Sequence, residues 1–134
     1  MTRDWRTWLF YLAGAYDSVL GAAFLLFHAW LFRAFDVTPP NHPGYIQFPA
    51  VLLIIFGFMF FRIARDPAAH RDLIGYGIAL KVSYSGLVFW YELTQGVPTM
   101  WIPWAWIDLA FLIMFVWAAK APVTRRSGGP LRAN

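Results

Sequence analysis

Four long apolar segments alternate with short polar segments along the chain. The apolar segments cover 9–32, 46–64, 73–95 and 100–119, and most charged residues and prolines lie between them. A helix of about 20 apolar residues crosses a hydrocarbon core of about 30 Å. The pattern therefore predicts an all-α fold, a four-helix transmembrane bundle with antiparallel neighbours. We expect a single integral membrane domain, in which residues 121–134 form a flexible tail.

Local signals indicate where two of these helices begin. Asp66 and Pro67 predict the start of the third helix, because aspartate is a good N-cap and proline fits the first helical position. Pro49 is expected in the first turn of the second helix, where its missing N–H does little harm.

Small and aromatic residues indicate how the helices pack. Small residues at four-residue spacing allow a neighbouring helix to approach closely. Two such rows are present, Gly14, Ser18 and Ala22 in the first span and Gly75, Ala79 and Ser83 in the third. Tryptophans at the start of a span predict an aromatic belt at the membrane interface. The fourth span begins with three of them, Trp101, Trp104 and Trp106.

Composition agrees with a membrane protein and excludes several other classes. The chain is 60% hydrophobic and 13% charged, whereas soluble domains are about 45–50% apolar and about 25% charged. Cysteine is absent, which excludes disulfides, thiolate metal sites and a cysteine nucleophile. The net charge is +4, but no basic surface interleaved with aromatic residues is present, so we expect no nucleic-acid binding.

The distribution of lysine and arginine predicts the topology. Positively charged loops stay in the cytoplasm, and Arg33 alone lies beside the opposite ends of the spans. The remaining flanking positions are Arg3, Arg6, Arg62, Arg65, Arg71, Lys120, Arg125, Arg126 and Arg132. We therefore expect both termini in the cytoplasm and a multi-pass protein of the cytoplasmic (inner) membrane. The basic N-terminal segment is interpreted as a retained first span, not a signal peptide.

Ionisable side chains inside the spans are the main candidates for function. A lysine in mid-membrane costs about 2.5–3.5 kcal/mol, so Lys81 should face a partner or water. Asp17 and Lys81 lie about 12 Å from the same face, at 1.5 Å per residue, and can pair. Asp108 lies about 12 Å from the opposite face, and the lysine side chain can lean either way. The predicted intramembrane polar cluster is Asp17, Lys81, Tyr84, Ser85, Glu92 and Asp108.

Three interpretations of this cluster stay open. Asp17 and Lys81 can neutralise each other and fix the register of the helices without any chemistry. The same side chains, with Tyr84, Ser85 and Asp108, can instead line a polar cavity or an ion path. The third interpretation is an interface with another subunit.

No established catalytic or cofactor pattern is present, and we expect a protein that is not an enzyme. The chain has no HExxH, GxSxG, phosphate-binding or dinucleotide-binding motif. His28 and His42 are weak candidates for metal or haem ligation, since both are expected near the same membrane face; a solvated histidine is the usual case. No metal or cofactor is expected, although the 20% aromatic content would also suit a lipid or a flat, quinone-like ligand.

The layout resembles that of small four-span bacterial membrane proteins grouped as DoxX-like. The shared features are the chain length, the four spans, a basic RDPxxHR-type turn between the second and third spans, and a third span containing Gly77 and Lys81. The resemblance implies a four-helix bundle and a loose link to redox or membrane-stress functions, with no catalytic residue.

These observations give three functional hypotheses, of which the third is a membrane enzyme. The first is an accessory or scaffold subunit that packs in the bilayer against a larger membrane complex or against itself, because almost no chain lies outside the spans. The alternative is a binder or carrier of a small apolar molecule or an ion, through a polar cavity around Lys81.

Overall fold

A computed structural model describes residues 4–122, and its only regular elements there are helices. They are α1 (Trp5–Ala34), α2 (Gly44–Arg65), α3 (Arg71–Thr94) and α4 (Ile102–Lys120), with a short 3-10 helix at Thr99–Trp101 before α4. All four spans, the last including the 3-10 turn, are long and apolar enough to cross a membrane. The all-α, four-helix prediction is confirmed. The tail predicted at 121–134 falls almost wholly outside the described residues.

The start of α3 differs from the sequence-based expectation. Asp66 does cap a turn, because its Oδ1 accepts a hydrogen bond from Ala69 N at 3.1 Å. That turn is not continued, since His70 leaves the helical region at φ −114° and ψ 27° and is itself the N-cap of α3. The prediction that Asp66 and Pro67 begin α3 is wrong, because the chain must first reverse between two antiparallel helices.

Pro49 also lies in a different place from the one predicted. Because α2 begins at Gly44, Pro49 is in the second turn, where a normal residue would donate its N–H to the carbonyl of Tyr45. The proline therefore removes one internal hydrogen bond from α2. It does so on the face that lines a cavity described below.

The bundle consists of two helical hairpins, α1 with α2 and α3 with α4, and contacts within each hairpin far exceed those between them. Glycines allow the first hairpin to close tightly. A Cβ at Gly14 would lie 2.9 Å from the carbonyl oxygen of Gly57, and a Cβ at Gly21 would lie 2.6 Å from that of Ala50. The small-residue face of α1 therefore packs against α2.

The second row of small residues faces outward. Gly75, Ala79 and Ser83 are all exposed on α3, and a Cβ at Gly75 would meet nothing within 4 Å. The two rows, alike in sequence, therefore have different surroundings in the monomer.

The interior divides into two halves along the bundle axis. The terminal half contains the start of α1, the α2–α3 turn and the end of α4. The loop half contains the α1–α2 and α3–α4 connections. The larger core cluster lies in the terminal half and comprises Leu9, Phe10, Ala13, Phe60, Ile63, Ala64, Ile74, Phe111, Phe115 and Ala118. A smaller cluster in the loop half comprises Phe24, Phe32, Ala50 and Met100.

Candidate functional site

Lys81 lies between two carboxylates where the two halves meet. Its Nζ donates hydrogen bonds to Asp17 Oδ1 at 2.7 Å and to Asp108 Oδ1 at 2.9 Å. Lys81 and Asp17 are completely buried. Because Asp17 is on α1, Lys81 on α3 and Asp108 on α4, this charged cluster joins the two hairpins. Hereafter "the charged cluster" means these three residues.

Aromatic rings surround the ammonium group on its remaining sides. Lys81 Nζ lies 5.4 Å from the ring centroids of Tyr16 and Phe111 and 5.7 Å from that of Phe60. Gly77, one turn before Lys81, makes room for Phe60, since a Cβ there would lie 2.6 Å from the Phe60 ring. Rings within about 6 Å attract a cation through their negative faces, so the site is adapted to hold a charged lysine.

The charged cluster has one more carboxylate than ammonium group. With both aspartates ionised, its formal charge is −1. An uncompensated charge in a low-dielectric interior costs several kcal/mol. One proton or one monovalent cation would neutralise the cluster, so it has the capacity to take up a positive charge.

Beside the charged cluster is a cavity of about 310 Å³ in the loop half. It lies between the hairpins, and its walls are mainly aliphatic and aromatic. Asp17 and Asp108 form part of its lining. Asp17 is completely buried, whereas Asp108 keeps 8% of its side chain exposed. Asp108 is therefore the less enclosed of the two carboxylates.

Tyr84 and Ser85 attach α3 to the start of the α4 segment. The Tyr84 hydroxyl donates to the carbonyl oxygen of Trp101 at 3.0 Å, and Ser85 Oγ donates to that of Ala105 at 3.1 Å. Tyr84 lines the cavity, but neither residue makes a hydrogen bond to a member of the charged cluster within the described chain. Their role is to hold α3 and α4 together near the cavity.

Glu92 lies away from the other predicted cluster residues. It is exposed near the end of α3, and its Oε2 accepts a hydrogen bond from Val97 N at 3.0 Å. Its inclusion in the intramembrane cluster is therefore corrected, because the carboxylate caps the α3–α4 loop instead.

The two histidines lie at the loop end, each with its own neighbours. His42 Nδ1 accepts a hydrogen bond from Gly44 N at 3.0 Å. His28 lines a second cavity of about 330 Å³ with Arg33, and its Nδ1 is buried without a hydrogen-bond partner among the described residues. Within residues 4–122 no three metal-ligating side chains are grouped closely enough to hold an ion.

Sequence reasoning missed the aromatic wall of the cavity. Trp101 and Trp104, expected in an interfacial belt, line the cavity instead, whereas Trp106 is exposed. Their spacing to Asp108 contained the signal, because residues at i, i+3 and i+7 share one face of a helix. The Nε1 of Trp104 is buried and, among the described residues, has no hydrogen-bond partner.

Comparisons of the chain with family models, curated proteins and solved structures give no match. The similarity to DoxX-like proteins stays a prediction. Functional conclusions about this protein therefore rest on the geometry of the charged cluster and the adjoining cavity.

Proposed function

We propose that this protein is a multi-pass membrane protein that binds a small, largely apolar molecule in the cavity beside the charged cluster. The observation that carries this proposal is the cavity itself, about 310 Å³ in volume, with Asp108 in its wall. Small-molecule sites typically begin at about 300 Å³ and combine apolar walls with a few polar groups. A binding or carrier role fits this arrangement without requiring a catalytic residue.

A matched pair of leucine substitutions on α3 tests the proposal. Leu80 lines the cavity, and Leu87 faces outward. Leu80→Trp should fill the cavity and exclude a bound molecule, whereas Leu87→Trp places the same side chain in the lipid. The measurement is native mass spectrometry of the full chain after extraction in mild detergent, with titration of a flat aromatic probe such as methylnaphthalene.

The expected result is binding by the wild type and Leu87→Trp and loss of binding by Leu80→Trp. If the wild type binds neither a co-purified molecule nor the probe, the proposal is wrong. Binding that survives unchanged in Leu80→Trp would place the site elsewhere on the protein.

The exposed row on α3 supports a second candidate, an accessory or scaffold subunit. Gly75, Ala79 and Ser83 are exposed on the outside of the bundle, and such rows favour close helix–helix association in membranes. A partner here would be a second copy or another membrane subunit. Ala79→Leu should then break an assembly larger than the monomer on native gels, with Ala110→Leu, the same substitution at an exposed position of α4, as the control.

We also propose that the protein lies in the cytoplasmic membrane with both termini in the cytoplasm. The support is the grouping of arginines and lysines at the terminal half, with Arg33 alone at the loop end. Reporter fusions to the two termini should both be active on the cytoplasmic side. Termini found on opposite sides would rule out this topology.

A further inference from the structure

We infer that the cavity takes an amphiphile with a cationic head, a protonated amine on an apolar body, and that its ammonium group lies against Asp108. This inference rests on the proposed binding function and specifies the chemistry of the ligand. Three features of the site lead to it: a free carboxylate oxygen, the charge balance and the aromatic wall.

The first feature is the unused hydrogen-bonding capacity of Asp108. Its Oδ1 accepts from Lys81 Nζ at 2.9 Å, and no described residue donates to its Oδ2. The side chain is more than nine-tenths buried, with 8% exposed, and it lines the cavity. An ionised carboxylate only accepts hydrogen bonds, so the complementary head group is a donor.

The second feature is the charge of the cluster. Lys81 already donates to both Asp17 and Asp108, which leaves a formal excess of one negative charge when both aspartates are ionised. A cationic head neutralises this excess. A neutral hydroxyl would donate a hydrogen bond to the free Asp108 oxygen but leave the excess negative charge of the cluster. An anionic head would add a second uncompensated charge in an apolar interior.

The third feature is the aromatic lining next to Asp108. Four aromatic side chains contribute to the cavity wall: Phe24, Tyr84, Trp101 and Trp104. Aromatic faces attract ammonium groups, tryptophan most strongly, and the attraction grows when the cation is desolvated. The same rings provide a flat apolar surface for the body of the ligand. A carboxylate beside several aromatic rings is therefore suited to an organic ammonium ion.

A series of ligands that differ only in the head group tests the inference. The probes are naphthylmethylamine, naphthylmethanol, naphthoic acid and methylnaphthalene. Their dissociation constants for the purified full chain are measured in a non-ionic detergent at neutral pH. The amine should bind at least about tenfold more tightly than the alcohol, since hydrogen bonds to charged groups are about twice as strong as neutral ones. The acid should bind most weakly.

A matched pair of aspartate variants locates the preference. Asp108→Asn should reduce the advantage of the amine over the alcohol to about twofold or less, because the excess charge is removed. Asp72→Asn is the control, since Asp72 is exposed in the first turn of α3, and it should keep the wild-type ratio. The wild-type series decides the question even if Asp108→Asn fails to fold.

The outcomes separate this inference from the proposed function. Equal binding of the amine, the alcohol and methylnaphthalene would overturn the cationic preference and leave the apolar site standing. Tighter binding of the acid would overturn it in favour of recognition by Lys81. If no probe binds, both the inference and the proposed function fail.

Discussion

The aromatic residues of the two halves of the bundle are used in different ways. In the terminal half, Phe10, Phe60 and Phe115 pack against one another, with ring centroids 4.9 to 6.1 Å apart. In the loop half, Phe24 and Trp101 stack at 5.6 Å, but both border the cavity. The charged cluster lies where the dense half gives way to the hollow one.

The two halves therefore affect the charged cluster in different ways. Dense packing around Lys81 keeps its ammonium group dry and fixed, because interiors without voids permit few side-chain arrangements. The hollow half leaves Asp108 within reach of a small molecule. A buried ion pair closed on all sides would be only structural, so the cavity on one side distinguishes this cluster from such a pair. Four predictions test the contrast between the two halves, in order of decreasing effect.

The largest effect is expected from removing the Lys81 ammonium group, which binds Asp17 and Asp108 where the two halves meet. Lys81→Met leaves two buried carboxylates without a partner and should lower the free energy of unfolding by about 3–5 kcal/mol. Adding Asp17→Asn should restore part of the loss, and adding Asp108→Asn as well should restore more. Denaturant unfolding in detergent micelles measures this series.

Lys120→Met is the matched control, because Lys120 is exposed at the end of α4. It should change the free energy of unfolding by no more than about 0.5 kcal/mol. Purely additive losses in the double and triple variants would mean that Lys81 and the two aspartates are not energetically coupled.

The second prediction compares the same substitution in both halves. Phe60 is completely buried, and Phe60→Ala should lower the free energy of unfolding by about 3 kcal/mol. This is the lower end of the usual range, because in a membrane lipid and not water surrounds the separated helices. Phe24→Ala should cost less than half as much, since one side of its ring already borders a cavity. Equal losses of unfolding free energy in the two variants would contradict the contrast between a dense and a hollow half.

The spans were predictable from sequence, but the hollow half was not. Segment length and hydropathy located all four helices, and the depth of Asp17 and Lys81 along their spans allowed their pairing. The contact of Asp108 with Lys81 lies within the α3–α4 hairpin. It depends on how the two helices are rotated against each other, which segment length and hydropathy do not encode. Composition alone does not tell whether Trp101 and Trp104 face lipid or a cavity. Only their spacing to Asp108 on one helix face pointed to the cavity. Glu92 was wrongly grouped with the polar cluster, because its hydrogen bond from Val97 N depends on the conformation of the α3–α4 loop.

The third prediction compares two glycines of α3, one in each half. A Cβ at Gly77 would lie 2.6 Å from Phe60, whereas one at Gly86 would meet nothing within 4 Å. Gly77→Ala should therefore destabilise the protein by about 1–3 kcal/mol through overpacking. Gly86→Ala should stabilise it by up to about 1 kcal/mol, the usual gain in helix propensity. Thermal unfolding followed by circular dichroism would show opposite shifts in Tm, and a gain in both variants would mean that Phe60 can move aside.

The smallest effect concerns the edge of the terminal half, where Asp4 caps α1. Its Oδ1 accepts from Arg6 N at 3.1 Å and its Oδ2 from Arg6 Nε at 2.7 Å. The Arg6 side-chain hydrogen bond holds the pKa of the Asp4 carboxyl below its ordinary value. A lowered pKa in the folded state stabilises the protein above the unfolded-state pKa, and this contribution is lost as pH falls through the folded-state pKa.

Two variants of Asp4 separate its cap from its charge. Asp4→Ala removes both and should cost about 1 kcal/mol at pH 7. Asp4→Asn keeps an N-cap and loses only the ion pair with Arg6. The Asp4 side chain is 34% exposed, so solvent screens this pair, and its loss should lower the free energy of unfolding by only a few tenths of a kcal/mol. The difference between Asp4→Asn and the wild type should vanish in acid, once Asp4 itself is protonated. A difference in unfolding free energy that persists there would mean that hydrogen-bond geometry, and not charge, makes the Asp4–Arg6 contact stabilising.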